Sequence, residues 1–220
     1  MSLFKIETHC HTKEVSSCSL LPGRVLVNIY KTAGYDAITI TDHFYSGWFN
    51  LDNGTDSELE RYCKGYDEAK DEGEKLGLKV YHGVEYRFND SQNDYLLYGA
   101  DKEALKKALY MFSSDIHDFY KWVKEGDMAF YQAHPFRDGM KRAPSTALDG
   151  IEIYNMHPDH NSRNDMAIEH AAKEGLRGLS GSDAHQDWHV GRGGIISSYL
   201  PENETELTKL ILSGDYKLIY

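Results

Sequence analysis

The sequence predicts an α/β fold built from parallel βα units, closed as a barrel or laid out as an open doubly wound sheet. Three observations carry this. Short apolar, β-rich runs alternate with charged or amphipathic stretches of helical length along all 220 residues, giving about seven strand–helix units. Polar residues of metal-ligand type directly follow strand-like runs one, two, three, five and seven, the ends at which a βα barrel assembles its active site. With 40% hydrophobic residues, the chain can bury one sizeable core, and no linker, fixed-period repeat or low-complexity segment divides it, so a single domain over 1–220 is expected.

Residues 3–8 read as strand one, leading into His9-Cys10-His11. The polar stretch 12–23 is a loop, and 24–33 a helix with Val25, Ile29 and Ala33 at four-residue spacing and Gly34 as its stop. Residues 36–41 form strand two, ending at Asp42-His43; 44–55 is a loop carrying Trp48 and Phe49, a lid or a seal at the barrel edge. A charged helix spans 56–76 and stops at Gly77. Strand three, 79–84, delivers Glu85; 95–98 is a short fourth strand preceded by Asp94. Helices are expected over 102–109 and 113–125, then strand five over 128–133, ending at His134-Pro135. Strand six covers 150–154, with Glu152 and Asn155 near its end; a helix follows over 164–174, and strand seven, 176–179, runs into Ser182-Asp183-Ala184-His185. A last strand–helix–strand segment occupies 195–199, 205–212 and 216–220.

The formal net charge of −11 argues against a dedicated duplex-DNA binder, which carries a basic face. Three cysteines, without a CxxC pair, fit a reduced cytoplasmic setting better than a disulfide framework. No apolar run approaches transmembrane length, so no membrane partner is expected.

In a strand, side chains at i and i+2 share a face, so His9 and His11 can grip one ion while Cys10 packs on the other side. His9, His11, His43, Glu85, His134, Asp183 and His185 together offer the imidazole and carboxylate donors that suit zinc, manganese or iron. A set this large suggests two or three ions, the arrangement that phosphate-ester hydrolysis uses, with a metal-bound hydroxide as nucleophile. No GxSxG elbow or Walker loop offers another route. His82 projects opposite to its strand neighbours and is read as structural; Asp42 is read as orienting rather than ligating. Arg137 is a candidate phosphate clamp, with Arg163 and Arg192 as weaker ones, while Asn155 and His157 lie on the loop that faces the site.

The ordered series HxH, TDH, GxE, AHP and SDAH resembles the PHP (polymerase and histidinol phosphatase) family across essentially the whole chain. The resemblance implies a distorted seven-stranded, TIM-like (β/α) barrel, two or three divalent metals and phosphoesterase activity. It implies that His9, His11, Glu85 and Asp183 hold a first ion, that Glu85 bridges to a second held also by His134, and that His43 and His185 contribute to a third. His134, Asp183 and Glu85 would then be the catalytic residues. Where family members often place a further histidine at the start of a short strand, this chain has Asp94; in the first loop, where they place a histidine or aspartate, the strongest ligand is Glu14.

The expected function is hydrolysis of a phosphate monoester, a small metabolite or nucleotide. The alternatives are a nuclease on short single-stranded ends, a degenerate metal-binding domain without catalysis, and an amidohydrolase-like enzyme. The last would want a carboxylated lysine, and no lysine sits at a strand end.

Overall fold

The computed structural model describes residues 3–220. Its strands are β1 (Phe4–Cys10), β2 (Ala37–Ile40), β3 (His43–Phe44), β4 (Lys79–Arg87), β5 (Asp94–Tyr98), β6 (Ala129–Gln132), β7 (Gly150–Asn155), β8 (Arg177–Gly181), β9 (Gly194–Ser197) and β10 (Lys217–Ile219). The helices are α1 (Gly23–Thr32), α2 (Thr55–Leu76), α3 (Lys102–Ala108), α4 (Ile116–Glu125), α5 (Asn164–Glu174) and α6 (Glu204–Ser213). None is long and apolar enough to cross a membrane.

All ten strands belong to one sheet, in the order β10-β9-β1-β2-β4-β5-β6-β7-β8 with β3 beside β4. The expected ring of seven is present as β1, β2, β4, β5, β6, β7 and β8. It closes at the C-terminal ends, where Asp183 N–H donates to His9 O at 2.9 Å and His11 N–H to Ala184 O at 3.0 Å. Toward the N-terminal end of β1 the closure is replaced by β9, which pairs antiparallel to it through Phe4↔Ser197 and Ile6↔Ile195. The three strands beyond seven are therefore the two-residue β3 and this β9–β10 pair.

One expectation fails in direction. β5 runs antiparallel to both β4 and β6, because residues 88–93 return the chain directly, with no crossover helix to bring it back parallel. A second fails in phase. Val25 of α1 is 40% exposed, and the buried face is Leu26, Val27 and Tyr30. A four-residue spacing drifts around a helix of 3.6 residues per turn, so two interleaved apolar series were available, and the one holding Tyr30 docks.

α6 seals the barrel floor: Leu207, Leu210 and Ile211 share an apolar cluster with Ile6, Tyr98 and Tyr131. Around the ring, α3 and α4 cover β5 and β6 with an aromatic cluster that includes Phe44, Tyr86, Phe119 and Phe130. Trp48 and Phe49 seal rather than line the site, since both pack on Tyr62 and Trp48 Nε1 donates to Val15 O at 2.8 Å. His82 packs at a tilt against Tyr66, away from the strand ends that matter below.

α2 approaches the β1–α1 loop through Gly65. A Cβ there would lie 1.9 Å from Thr12 Oγ1 and 3.2 Å from Asp42 Oδ2. Gly65→Ala is expected to lower unfolding stability by about 1–3 kcal/mol, the cost of overpacking a close contact. Urea titration of wild type and variant measures it, and an unchanged midpoint would contradict the contact.

Candidate metal centre

The strand ends bring together the seven residues singled out from the sequence. His9 and His11 are fully buried at the end of β1, with their Nε2 atoms 3.1 Å apart. Asp183 Oδ1 lies 3.4 Å from His9 Nε2 and 3.2 Å from His11 Nε2. Glu85 sits between the groups: Oε1 is 3.0 Å from His134 Nε2 and 3.4 Å from His9 Nε2, and Oε2 is 2.7 Å from His43 Nδ1. His185 stacks on His11 at 4.3 Å between ring centroids.

Carboxylates and a serine behind the cluster set the imidazole tautomers. His9 Nδ1 faces Glu152 Oε1 at 3.0 Å, and an ionised carboxylate only accepts, so His9 carries its proton there and turns a lone pair inward from Nε2. Ser16 Oγ donates to Asp42 Oδ1 at 2.6 Å, so it accepts from His11 Nδ1 at 3.3 Å, and His11 Nε2 is a lone-pair donor too. Asp42 also accepts from Thr12 N–H and Oγ–H, the orienting role expected of it. His185 Nδ1 donates to Asp183 O at 2.8 Å. Glu152 Oε2 accepts from His134 N–H at 3.1 Å. His134 and Asp183 both hold positive φ, 30° and 51°, a strained conformation that persists where the surroundings enforce it.

The neutral tautomers set two lone pairs 3.1 Å apart among carboxylates, an arrangement that draws positive charge between them, whether a second proton on His9 or a metal ion. The titration behaviour agrees. Burial pushes the Glu85 and Asp183 carboxyls up, but the histidines, and Arg137 beside Asp183, hold both well below the usual range. Burial lowers His9, yet Asp183, Glu152 and Glu85 drive it well above the usual imidazole value. Burial, with His185 and His43 adding to it, holds His11 well down. Glu85 Oε2 and His134 Nδ1 are buried without a hydrogen-bond partner. Three overlapping groups stand at ligand spacing: His9/His11/Asp183, His11/His43/His185 and His43/Glu85/Asp94. The residues present therefore fit a cluster of divalent ions.

Of the other site candidates, Asp94 does come in, 3.9 Å from His134 Nε2, but both its oxygens also accept from Arg87, at 2.6 and 2.7 Å. Glu14 does not. Its Oε2 accepts from Gly23 N–H at 3.0 Å, where it meets the first free amides of α1. Arg137 lines the cleft and donates to Asp183 Oδ2 and Asn155 Oδ1, each at 2.7 Å, leaving a buried Nε unpartnered. Arg163 is diverted: it donates to Phe136 O and Asp138 Oδ1 and is absent from the cleft wall. Arg192 likewise donates to Trp188 O. Asn155 is only 2% exposed, and its amide is consumed by Glu152, Asp183, Arg137 and Ser162, so it braces the site rather than meeting substrate. His157 lines the cleft together with His160 and His189.

The sequence reading missed Glu7, Arg87 and Cys18. Alternation from His9 and His11 would put Glu7 on their face, but the register of β1 breaks between Glu7 and Cys10, and the carboxylate turns to Tyr30 and Ser182 instead. Cys18 had no sequence signal, because only the folded loop brings it to His43 and His185. Burial pushes the Cys18 thiol up, but hydrogen bonds with His185 and His43 outweigh this and bring it from 9.0 down to about 6. In metal-free protein, iodoacetamide should therefore label Cys18 with a rate that rises through a midpoint near pH 6. Mass mapping across pH checks this, and a midpoint in the ordinary thiol range would contradict it.

Sequence comparison places residues 7–141 in a match to the PHP domain and 161–215 in a match to the PHP-associated region. No curated protein sequence matches the chain significantly. Among solved structures it is similar to a two-domain protein from Bacteroides vulgatus that contains a predicted PHP-like metal-dependent phosphoesterase (17% identity, TM-score 0.69, covering 100% of this chain and 65% of that one). It is also similar to the lesion-specific endonuclease PfuEndoQ from Pyrococcus furiosus (17%, 0.62, 99% and 58%). A third is an amidohydrolase from Chromobacterium violaceum with bound sulfate and no metal (14%, 0.56, 98% and 98%). The chain thus spans less than two thirds of the Bacteroides and Pyrococcus proteins, and at these identities the likeness is one of fold. With His9 to His134 inside one match and Asp183 and His185 inside the other, the chain belongs to the PHP domain family.

Proposed function

We propose that the protein is a metal-dependent phosphoesterase acting on a small phosphate monoester. The observation that carries this is the convergence of His9, His11, His43, Glu85, His134, Asp183 and His185 on one point beside the arginine-bearing wall of an open cleft. Bound at that point, two or three divalent ions would supply charge neutralisation at the phosphoryl oxygens and a water of lowered pKa.

The chain's own side chains do the rest. Glu152 and Ser16 hold His9 and His11 in the tautomers that present Nε2 inward. Glu85, between His9, His43 and His134, would share with them in holding the ions. Arg137 steadies Asp183 through Nη2, and its guanidinium, part of the cleft wall, would meet a phosphate oxygen. The cleft is about 380 Å³, the scale of a small-molecule site. The similarity to endonuclease Q belongs to the shared fold, and the overall charge of −11 disfavours a long polyanion.

Elemental analysis of purified protein should find two or three zinc, manganese or iron ions per chain, and a panel of phosphomonoesters, dinucleotides and single-stranded ends should show release of phosphate from a small ester that chelation abolishes. A chain that binds no metal after reconstitution would overturn the reading. His134→Ala should lower kcat/KM by about a hundredfold or more with the circular dichroism spectrum unchanged. Arg163→Ala should leave KM unaltered, because that guanidinium is committed to Phe136 and Asp138.

A further inference from the structure

The sheet sets a fixed positive charge beside the metal centre. β4 and β5 pair antiparallel with Arg87 directly opposite Asp94, so the two side chains leave the sheet on one face. By alternation along β4, Glu85 leaves on that face as well, and all three line the cleft.

Asp94 stands at ligand spacing with His43 and Glu85. Both its oxygens are nevertheless committed. Arg87 Nε donates to Oδ1 at 2.6 Å and Nη2 to Oδ2 at 2.7 Å, the two parallel bonds of a guanidinium fork on a carboxylate. Oδ2 is also the oxygen that faces His134 Nε2, at 3.9 Å. Asp183 offers a comparison within the same cleft. Arg137 donates to its Oδ2 alone, and Oδ1 stays turned to His9 and His11 at 3.4 and 3.2 Å. One aspartate divides its oxygens between an arginine and the histidines, while the other gives the arginine both.

A guanidinium keeps its charge in a protein, so Arg87 cannot yield to an incoming cation by losing a proton, as a lysine or a histidine could. A divalent ion on Asp94 would stand within a few ångströms of that charge. With Asp94 only 2% exposed, little water is present to screen the repulsion.

We propose that the Arg87 guanidinium stands in for a metal ion at Asp94, so that the protein holds two ions where its side-chain groups would otherwise admit three. The proposal rests on reading the cluster as a divalent-metal centre. Asp94 is then the orienting partner of Arg87, and the ions are left to the histidines with Glu85 and Asp183.

The test counts ions. The full chain is stripped of metal and dialysed to equilibrium against manganese alone, and the bound metal is measured by elemental analysis. Wild type should saturate at two ions per chain. Arg87→Met, which keeps an apolar stem and removes the charge, should saturate at three, and Arg87→Met combined with Asp94→Asn should return to two. Asp94→Asn alone, whose amide oxygen still accepts from Arg87, should also hold two, and it probes the same point should Arg87→Met unfold. Circular dichroism verifies the fold of each variant. A third ion in wild type that Asp94→Asn removes, or a folded Arg87→Met variant that holds no more metal than wild type, would overturn this proposal and leave the centre standing. Failure of wild type and variants alike to bind any ion would overturn the centre and this proposal with it.

Discussion

A carboxylate with no access to solvent holds the site together. Glu7 accepts from the N–H groups of Thr8, His9 and Ser182 and from the hydroxyls of Ser182 and Tyr30. Burial pushes its carboxyl up, and these donors work against that shift. The bonds join β1 to the segment after β8, the seam at which the ring closes. Charge-assisted hydrogen bonds contribute about 1.5–3 kcal/mol each, and a buried charge that loses its donors costs several times that. HxH and SDAH are 172 residues apart between His11 and Asp183, yet they meet because Glu7 can be satisfied only when the two segments lie side by side.

Around that tie the acidic residues divide into two layers. Glu7, Asp42 and Glu152 are saturated by backbone amides, hydroxyls and imidazole N–H groups, so they fix positions. Glu85 and Asp183 face one another's histidines and keep oxygens turned inward. The separation explains how the imidazoles are turned: each outward nitrogen of His9 and His11 has an acceptor behind it, which directs both Nε2 atoms inward. It also explains the positive φ of His134 and Asp183. Their amides are held by Glu152 Oε2 and His9 O, and the strain is the consequence of turning the side chains back over the barrel mouth.

That the strand-end residues meet at the barrel mouth was legible because it depends on local periodicity: a residue one step past an apolar run falls at the end of its strand. The barrel and its seven-membered ring follow from the same alternation. Residues whose role depends on a partner far away in sequence were not legible. Glu14 looks like a ligand by composition, but the start of α1 lies closer to it than the cluster does. Arg163 and Arg137 are alike as residues, and only the fold sends one to Asp138 and the other to Asp183. Cys18 is invisible by spacing, since its place comes from Ser16 and Ser19 being anchored to opposite sides of the centre. The direction of β5 was open to inference, because residues 88–93 are too few for a crossover helix.

The charge of the cleft then dictates how an anionic substrate is received. Its wall carries Arg87 and Arg137 against Glu85, Asp94, Asp159 and Asp183, so the carboxylates outnumber the guanidiniums by two, and the lining is negative wherever His43 and His185, whose neighbours raise them, have lost their protons. Both arginines are already paired, Arg87 with Asp94 and Arg137 with Asp183. A phosphate ester entering this wall by itself meets net repulsion inside a chain that is acidic throughout. Divalent ions held there would reverse the sign of the lining. On the proposed function, substrate affinity would therefore be tied to metal occupancy before any chemistry begins, with the arginines adding direction to an attraction that the ions would create.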